Sequence, residues 1–536
     1  RNALGVIDRE VLVVFSTFNE QQQRTIKFAQ KEISDSQGRL QATIVIIVHC
    51  DKEGNFKLKN WGRDVGISVL PVFEGESHKD DFSLEKSLCI ELYSHDPFDV
   101  TGPVSDDANF YGRRDEVLDF ARKLQQGQIR TCLGIRKIGK TSIINRVIQE
   151  IQNSYNSSCV MVDCSRDEIS HLDAIQLLNS IALTLDNAVK QNESYSKLIA
   201  LNQDVSIEHA RVNLERAIGS VAKPFILVFD EVDYITPGSP INKEWKNQFN
   251  IFWRNLRVVY QESVRSGITF SVLIAGVSTY WFTVESIEGV ENAALAFVPE
   301  EYLMPMPLGA SEAMIRKLGR VAGLNFDKSA AELIATASGN MPYWSRKCGS
   351  YINRNIPVAE RPCEITCGRI EPMVDAFIKE EGGSIAGVAL GHLFRVYPNL
   401  QTAALSCHDG MGDSISERDR RILRKYGILQ EKSNAISGKM ISAGLEAFRD
   451  DPKELGLSDL QPANILAPPR VVLDEWAEEL AALGKRRNIL EKKMRDIALN
   501  FIRFDVINSG NIGELLNRIL RILPQNSRSA YTNLSA

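Results

Sequence analysis

Short apolar runs alternate with stretches of helical periodicity over the first half of the chain. The runs are continuous, which is typical of strands buried on both faces of a parallel sheet. Helical stretches separate them, as in consecutive strand–helix–strand units. The pattern therefore predicts a multidomain α/β protein. The predicted strands are Val11–Phe15, Ala42–Val48, Ile67–Phe73, Cys159–Asp163, Phe225–Phe229 and Phe270–Gly276.

The second half of the chain has a mainly helical pattern. Helical periodicity runs from Ser311 to Arg354 and is interrupted by SGNMPYW at Ser338–Trp344. Three later helical stretches precede a short strand, a return strand and a closing helix, which is the order of a winged helix. These elements are predicted at Pro372–Lys379, Leu390–Leu405, Ser416–Tyr426, Gly427–Lys432, Ser433–Ser437 and Lys439–Phe448. A charged amphipathic helix is predicted at Trp476–Arg503.

The segment after the apolar pair Cys132–Leu133 has the spacing G-x-x-x-x-G-K-T, and a helical pattern follows it. The glycines let the loop backbone direct its N–H groups toward phosphate oxygens, and the helix N-terminus adds a partial positive charge. Lys140 would reach the β- and γ-phosphates, and the Thr141 hydroxyl would bind Mg²⁺. The predicted nucleotide-binding residues are Gly134, Ile135, Arg136, Lys137, Ile138, Gly139, Lys140, Thr141 and Ser142.

Two acidic residues, Asp230 and Glu231, end the apolar run Phe225–Phe229. Behind a nucleotide-binding loop, a buried strand that ends in two carboxylates is typical of a Walker B motif. Asp230 would hold Mg²⁺ through the water shell of the ion, and Glu231 would orient the attacking water. Asp233 could contribute to this site, but a position that faces solvent is the favoured expectation. The sequence therefore predicts ATP hydrolysis as well as ATP binding.

Composition narrows the classes of function. A length of 536 residues allows several domains, and an apolar fraction of 44% is ordinary for a globular protein. The net charge of −5 gives no overall attraction to nucleic acid, so such binding would have to be local. No apolar run is long enough for a membrane span. Nine cysteines without a C-x-x-C pair argue against zinc and suit a reducing cytoplasm.

The first residue of the sequence is Arg1, and no signal peptide pattern follows it. A missing N-terminal segment is therefore an open alternative. The changes of pattern predict the following division: a small α/β domain at 1–75, a linker at 76–109, a P-loop NTPase core at 110–308, a helical lid at 309–370, a winged helix at 371–455 and a helical C-terminal region at 456–536.

Two further segments resemble elements of the STAND class of P-loop ATPases and their archaeal relatives. FYGRRDEV, at Phe110–Val117, resembles a signature that lies beside the adenine, although its acids come one position early. Gly339–Pro342 resembles a G-x-P element whose proline starts a helix and packs on the adenine, with one extra residue here. The resemblance implies nucleotide contacts for Tyr111, Gly112, Arg113 and Pro342. It would leave Arg113 free to pair with a phosphate or an acidic partner.

The order of motifs over residues 100–450 resembles the same class, which has an AAA+-like core and a winged helix. This implies a switch that is closed with ADP, opens on a trigger, takes up ATP and oligomerises, in many members for prokaryotic defence. The winged helix would act as a lid. Ser278, at the end of the Phe270–Gly276 strand, would sense the γ-phosphate or cap the next element. No histidine follows His408, so a late histidine contact to the ADP phosphate is expected to be absent or replaced.

Two other functions stay open. The chain also resembles archaeal origin-recognition ATPases, in which the winged helix grips duplex DNA through its third helix. That helix, Ser416–Tyr426, contains Arg418, Arg420, Arg421, Arg424 and Lys425. The other alternative is a nuclease in the N-terminal domain that the ATPase regulates. The sequence shows no D…E-x-K set there, and the polar residues at His49–Glu53 favour a solvated turn over a ligand site.

Overall fold

The computed structural model describes residues 10–450, apart from 37–38, 75–92, 94–95, 100–101, 105–109 and positions 156, 202, 204, 222, 279 and 296. The predicted C-terminal region and most of the predicted linker lie outside the described residues. Among the described helices, none combines the length and the apolar character needed to cross a membrane.

A three-stranded parallel sheet in the order β1-β2-β3 forms the first part of the described chain. Its elements are β1 (Glu10–Ser16), α1 (Gln23–Asp35), β2 (Leu40–His49), α2 (Gly54–Asp64) and β3 (Ser68–Phe73). Val45 and Ile47 of β2 pack with Ile26 of α1 and Leu58 of α2 on one face. Tyr93 packs on the other face with Ile44, Ile46 and Leu70.

The polar residues at the end of β2 are used inside this domain. Asp51 accepts hydrogen bonds from the backbone N–H of Gln21 at 2.8 Å and of Glu53 at 2.9 Å. These bonds hold the pKa of Asp51 below its usual value. His49 is 1% exposed, and its Nε2 lies 2.7 Å from Asn55 Oδ1. The prediction of a solvated turn is therefore wrong for His49 and Asp51, because both close the loop from within.

The nucleotide-binding motifs lie in a second α/β unit. Its elements, in chain order, are α3 (Arg114–Gln125), β4 (Ile129–Leu133), α4 (Lys140–Ser154), β5 (Ser158–Asp163), α5 (Asp167–Ser170), α6 (Ala174–Gln191), β6 (Tyr195–Lys197), α7 (Ile207–Gly219), β7 (Phe225–Asp230), α8 (Trp245–Arg265), β8 (Phe270–Gly276), α9 (Tyr280–Thr283), β9 (Ser286–Ile287) and β10 (Val290–Glu291).

Five of these strands form a parallel sheet in the order β4-β8-β7-β5-β6. Strand β8 therefore lies between the strand that leads into the P-loop and the strand that ends at Asp230. A parallel bridge from Leu133 to Tyr302 adds a rudimentary strand beyond β4. The carboxyl ends of parallel strands meet at one edge, where α/β folds bind ligands. This arrangement is an α/β P-loop NTPase core.

Alternate residues of the sheet enter two apolar cores. Val160, Leu227 and Ile274 face the side covered by α6, α7 and α8. Met161 and Val228 face the side covered by α4. That second core continues without a break into the helices that follow residue 308, so the helical half is packed on the nucleotide-binding core.

The helical half contains α10 (Leu308–Val321), β11 (Leu324–Phe326), α11 (Lys328–Ala337), α12 (Pro342–Asn355), β12 (Cys363–Ile365), α13 (Cys367–Phe377), α14 (Gly383–Val396), α15 (Pro398–His408), α16 (Glu417–Lys425) and α17 (Lys439–Asp450). We call residues 383–450 the C-terminal helical group. The predicted helix Leu390–Leu405 is in fact two helices, because Pro398 begins a new one and the residue before a proline disfavours helical geometry. The predicted strands after α16 amount to one antiparallel bridge, Leu429–Ile436.

Part of the predicted linker is fastened to α12. We call residues 96–99 and 102–104 the strap. The Ser350 hydroxyl donates to Asp96 Oδ2 at 2.5 Å, and Lys347 Nζ lies 2.8 Å from Asp99 Oδ1. Phe98 is 1% exposed and meets Phe326 edge-on, with ring centroids 6.3 Å apart. These contacts hold residues 96–99 of the strap against α12 and β11.

Candidate nucleotide-binding site

The P-loop turns sharply between β4 and α4. Lys137 (φ 68°) and Gly139 (φ 108°) have left-handed backbone geometry, which glycine adopts without steric cost. Ile135 and Ile138 are buried and anchor the loop in the core below it. Helix α4 begins at Lys140, so the N–H groups of its first turn have no partner within the helix and are available to an anion.

Lys140 lies inside this loop. It is 4% exposed, and its Nζ donates to the carbonyl oxygens of Gly134 at 3.0 Å and Ile135 at 3.4 Å. Both acceptors belong to the loop itself, so the ammonium group is held inside the loop, close to the start of α4. A phosphate oxygen at this position would receive charge-assisted hydrogen bonds, which are stronger than neutral ones.

Thr141 and Asp230 meet directly. The Thr141 hydroxyl donates to Asp230 Oδ2 at 2.9 Å, across the carboxyl edge of the sheet. Asp230 is 3% exposed, and burial, followed by the charge of Glu231, raises the pKa of its carboxyl to about 6. The hydroxyl and the carboxylate are both oxygen ligands, which Mg²⁺ prefers. Since the buried negative charge of Asp230 is poorly compensated, a divalent cation beside Thr141 fits these two residues.

Glu231 adopts an unusual backbone conformation at the end of β7. Its φ of 52° and ψ of 46° lie in the left-handed region, where a residue other than glycine costs on the order of 1 kcal/mol or more. Its N–H donates to Asp230 Oδ1 at 3.0 Å. Strained residues of this kind cluster at functional sites, and this conformation directs the Glu231 side chain toward the P-loop cavity.

A cavity of about 430 Å³ lies over the P-loop. This volume is in the range of small-molecule sites. Phosphate-loop residues line one part of it, and the strap and the start of α12 line the rest. Its lining residues are Gly102, Pro103, Val104, Arg136, Lys137, Gly139, Lys140, Thr141, Ser142, Glu231, Pro342, Tyr343 and Arg346. The structure therefore brings the P-loop, Glu231 and Pro342 together around one space, with Asp230 just beneath.

Several lining residues were missed from sequence. Val104 of the strap donates its N–H to the Ser142 hydroxyl at 3.0 Å, which brings the strap to the cavity. Tyr343 lies with its ring centroid 5.1 Å from Lys137 Nζ, and Arg346 is 6% exposed. The helical spacing from Pro342, one and four residues on, would have placed Tyr343 and Arg346 beside it. The strap gave no such signal.

The segment Tyr111–Arg113 does not line the cavity. Arg113 is 3% exposed, and its guanidinium donates to the carbonyl oxygens of Met304 at 2.9 Å and Ile138 at 3.4 Å. The expectation of an arginine free to pair with phosphate is therefore corrected: Arg113 braces the P-loop from behind. The Tyr111 ring lies near Arg346, with 5.9 Å between Cζ and the ring centroid. Gly112 has a φ of 69°, and a Cβ there would lie 2.6 Å from Ala310 Cβ.

Ser278 follows the end of β8, and Asp233, in the turn after β7, contacts the same place. The Ser278 hydroxyl accepts the N–H of Tyr280 at 2.8 Å, which is the capping role named as its alternative, and donates to the Tyr397 hydroxyl. It is outside the cavity lining. The expectation that Asp233 faces solvent is wrong, because its Oδ2 accepts the N–H of Val277 at 2.6 Å. Burial raises the pKa of Asp233 to about 6.

A histidine of the C-terminal helical group reaches the P-loop. His392, on α14, has its Nε2 2.7 Å from Arg136 Nη1. Burial, followed by the charge of Arg136, lowers the pKa of His392 to about 4, so the neutral ring accepts the hydrogen bond from the arginine. A single histidine in the apolar pattern of this helix looks like a core residue in the sequence. Only the packing of the helical group on the core shows its contact.

No protein-family model matches the chain, and no match was found among curated proteins. Among solved structures, the chain is similar to a Walker-type ATPase of Pyrococcus abyssi, with 18% identity, a TM-score of 0.43, and coverage of 65% of this chain and 99% of that one. It is also similar to the Orc1 protein of Aeropyrum pernix in complex with DNA, with 12% identity, a TM-score of 0.33, and coverage of 67% and 97%.

A third similar structure is the RuvB Holliday junction branch migration motor of Thermotoga maritima. Its identity is 13%, its TM-score is 0.31, and the coverage is 67% of this chain and 99% of that one. At TM-scores below 0.5, these likenesses assign neither a subclass nor an activity to the chain.

The raised pKa of Asp230 predicts a pH dependence. A Mg²⁺ ion at this site would bind the ionised form of Asp230, so the increase in ATP affinity that Mg²⁺ brings should diminish as the pH falls through about 6. Without metal, this carboxyl stabilises the fold most below its ordinary pKa, and that contribution is lost as the pH rises through about 6. Titrations of a fluorescent ATP analogue with and without Mg²⁺, from about pH 5 to about pH 8, would measure the effect.

The matched control for this pH series is Asp230→Asn, which keeps the shape of the side chain but cannot ionise. Its affinity for the analogue should respond weakly to Mg²⁺ at every pH. An undiminished Mg²⁺ effect in the wild-type protein at about pH 5 would show that Asp230 does not hold the cation.

Proposed function

We propose that the chain binds Mg²⁺–ATP and hydrolyses it. The observation that carries this proposal is the convergence of Lys140, Thr141, Asp230 and Glu231 at one carboxyl edge of the sheet. Lys140 and the first turn of α4 supply positive charge for the phosphates. Thr141 and Asp230 supply oxygen ligands for Mg²⁺, which would neutralise charge on the phosphates.

Glu231 would orient the attacking water. It lines the cavity beside the P-loop, whereas Asp230 lies beneath it and is engaged by Thr141. A carboxylate that is exposed to the cavity can hydrogen-bond a water molecule and accept its proton as that water attacks a bound phosphate. The two neighbouring acids therefore have separate roles, with Asp230 on the metal and Glu231 on the water.

We further propose that hydrolysis serves a STAND-type switch. Support comes from the packing of the C-terminal helical group against the site, through His392 on Arg136 and through Tyr397 on Ser278. Contacts at the P-loop and at β8 would make the position of this group depend on the bound nucleotide. In this proposal residues 371–455 form the winged-helix lid, the N-terminal α/β domain is an effector or interaction module, and prokaryotic defence is the setting that the resemblance suggests.

The switch predicts a change of assembly. After bound nucleotide is removed, a non-hydrolysable ATP analogue should raise the mass of the full chain at least about twofold by light scattering, and ADP should not. The physical reason is that only the γ-phosphate can distinguish the two states. If the analogue binds and the mass does not change, the switch proposal is wrong, but the proposed nucleotide site is not affected.

A DNA-binding ATPase is the second candidate. Arg418 and Arg421 are exposed and one turn apart on α16, as a duplex contact would require. Other basic residues of the helix are engaged: Arg420 with Glu417, Arg424 with Asn434, and Lys425 with Glu300 at 2.8 Å. The last contact ties the helix to the core, which favours the lid. Duplex binding with a steep salt dependence that Arg418→Glu and Arg421→Glu abolish would favour DNA instead.

A further inference from the structure

Three consecutive residues at the end of β8, Gly276–Ser278, contact the P-loop, the turn that follows Glu231 and the C-terminal helical group. We call them the β8 end. The carbonyl oxygen of Gly276 accepts the N–H of Gly134, the first residue of the P-loop, at 3.2 Å. A shift of the P-loop on phosphate binding would therefore displace or break this hydrogen bond to Gly276.

The turn that carries Glu231 is tied to the same place. Asp233 lies in the short helical turn Val232–Ile235, and its Oδ2 accepts the N–H of Val277 at 2.6 Å. A Cβ on Gly276 would lie 2.7 Å from that oxygen, so only glycine leaves room for the contact. Asp233 thus fixes the distance between the Glu231 turn and β8.

Two tyrosines of the C-terminal helical group hold the other side of the β8 end. Tyr426 is fully buried, and its hydroxyl donates to the carbonyl oxygen of Val277 at 2.6 Å. The Tyr397 hydroxyl accepts the hydrogen bond of Ser278, and its ring meets that of Tyr426 at a centroid distance of 6.2 Å. Because a buried hydroxyl that loses its hydrogen-bond partner is destabilising, small displacements here favour a second hydrogen-bonded arrangement over gradual stretching.

We propose that Asp233 is a positioning residue for hydrolysis and that the β8 end relays the nucleotide state to the C-terminal helical group through Tyr397 and Tyr426. The path runs from the Glu231 turn through Asp233 to the N–H of Val277, and from the carbonyl oxygen of Val277 to Tyr426. This inference rests on the proposed nucleotide site. It adds the physical connection by which that site would move the lid.

Hydrogen–deuterium exchange of the full chain with ADP and with a non-hydrolysable ATP analogue tests the relay. In the wild-type protein, amides of α14 to α16 should differ in exchange rate by about tenfold between the two nucleotides, the equivalent of roughly one hydrogen bond. In the double variant Tyr397→Phe, Tyr426→Phe the difference should fall below about twofold, with nucleotide affinity within about threefold of wild type. The matched control is Tyr260→Phe. The Tyr260 hydroxyl donates to the carbonyl oxygen of Gly127 at 2.7 Å, and Gly127 precedes the start of β4, at the edge of the sheet opposite the P-loop.

Asp233 is tested by a pair of variants. Asp233→Ala should lower kcat about tenfold with little change in KM, because the Glu231 turn loses its tie to β8. Asp233→Asn should restore most of kcat, because its amide oxygen can still accept the N–H of Val277. Equal loss in both variants would overturn the positioning role.

The outcomes separate the relay from the nucleotide site. If wild-type protein binds no ATP, both the proposed function and the relay are wrong. If it binds ATP but the exchange of α14 to α16 does not depend on the nucleotide, only the relay is wrong. A wild-type response in the double tyrosine variant, or an equal loss in Tyr260→Phe, would also overturn the relay.

Discussion

Replacing Lys140 with alanine should weaken ATP binding by about 100-fold or more. Hydrogen bonds to a charged group contribute about 1.5–3 kcal/mol each, and the Lys140 ammonium is held inside the P-loop by the carbonyl oxygen of Gly134. Alanine removes the charge and leaves the carbonyl oxygens of Gly134 and Ile135 without that donor. Isothermal titration calorimetry with ATP and Mg²⁺ on the full chain would measure the loss.

The control for this substitution is Lys123→Ala. Lys123 is also a helical lysine, but it pairs with Asp119 on the surface of α3, at 2.5 Å. The Lys123→Ala variant should bind ATP with the affinity of the wild-type protein. Thermal unfolding of both variants separates lost binding from lost folding. An affinity of Lys140→Ala within about threefold of wild type, in a folded protein, would refute the nucleotide site.

Glu231→Gln should leave ATP affinity nearly unchanged and slow turnover by about 100-fold or more. General base catalysis contributes on the order of 10²–10⁴ in rate, and glutamine keeps the shape of the side chain without its basicity. The left-handed backbone at Glu231 is also kept, since the substitution changes only the side-chain end. Single-turnover phosphate release with saturating Mg²⁺–ATP would measure the rate constant directly.

Glu262→Gln serves as the control for turnover, because Glu262 lies on the surface near the end of α8, where its carboxylate pairs with Arg265. It should hydrolyse ATP at the wild-type rate. Together the two site substitutions give different signatures: lost binding for Lys140→Ala, and retained binding with slow hydrolysis for Glu231→Gln. Normal turnover in Glu231→Gln would show that Glu231 is not the general base, and it would not contradict the proposed ATP-binding site.

The P-loop and the strand ending at Asp230 could be predicted because their signals are local. Gly134–Thr141 sets its own backbone geometry through two glycines and the start of a helix. The apolar run Phe225–Phe229 is buried on both faces, and a strand in that environment must end where its first acids reach the edge of the sheet. Asp230 and Thr141 therefore meet as the spacing implies.

The contacts of the Arg113 side chain could not be predicted from the resemblance. Its position near the P-loop followed from the motif, but the direction of its side chain depends on a carbonyl 191 residues away, that of Met304. A guanidinium that finds two buried carbonyl oxygens stays with them, since leaving either unpaired is costly. Asp233 is a similar case: a charged residue after a strand is usually solvated, but here the backbone N–H of Val277, directly after β8, donates to its carboxylate.

The amino-acid sequence alone determined the class of the core, the phosphate loop and the paired acids, because hydrophobic periodicity and backbone geometry act over short stretches of chain. The tertiary structure alone decided that the strap lines the cavity, that His392 contacts Arg136, and that Tyr426 contacts the β8 end. A single polar side chain has the same place in a helical pattern whether it faces water or another domain. Its partner is decided only when distant elements pack, and in this protein the partners of His392 and Tyr426 lie at the P-loop and at the β8 end.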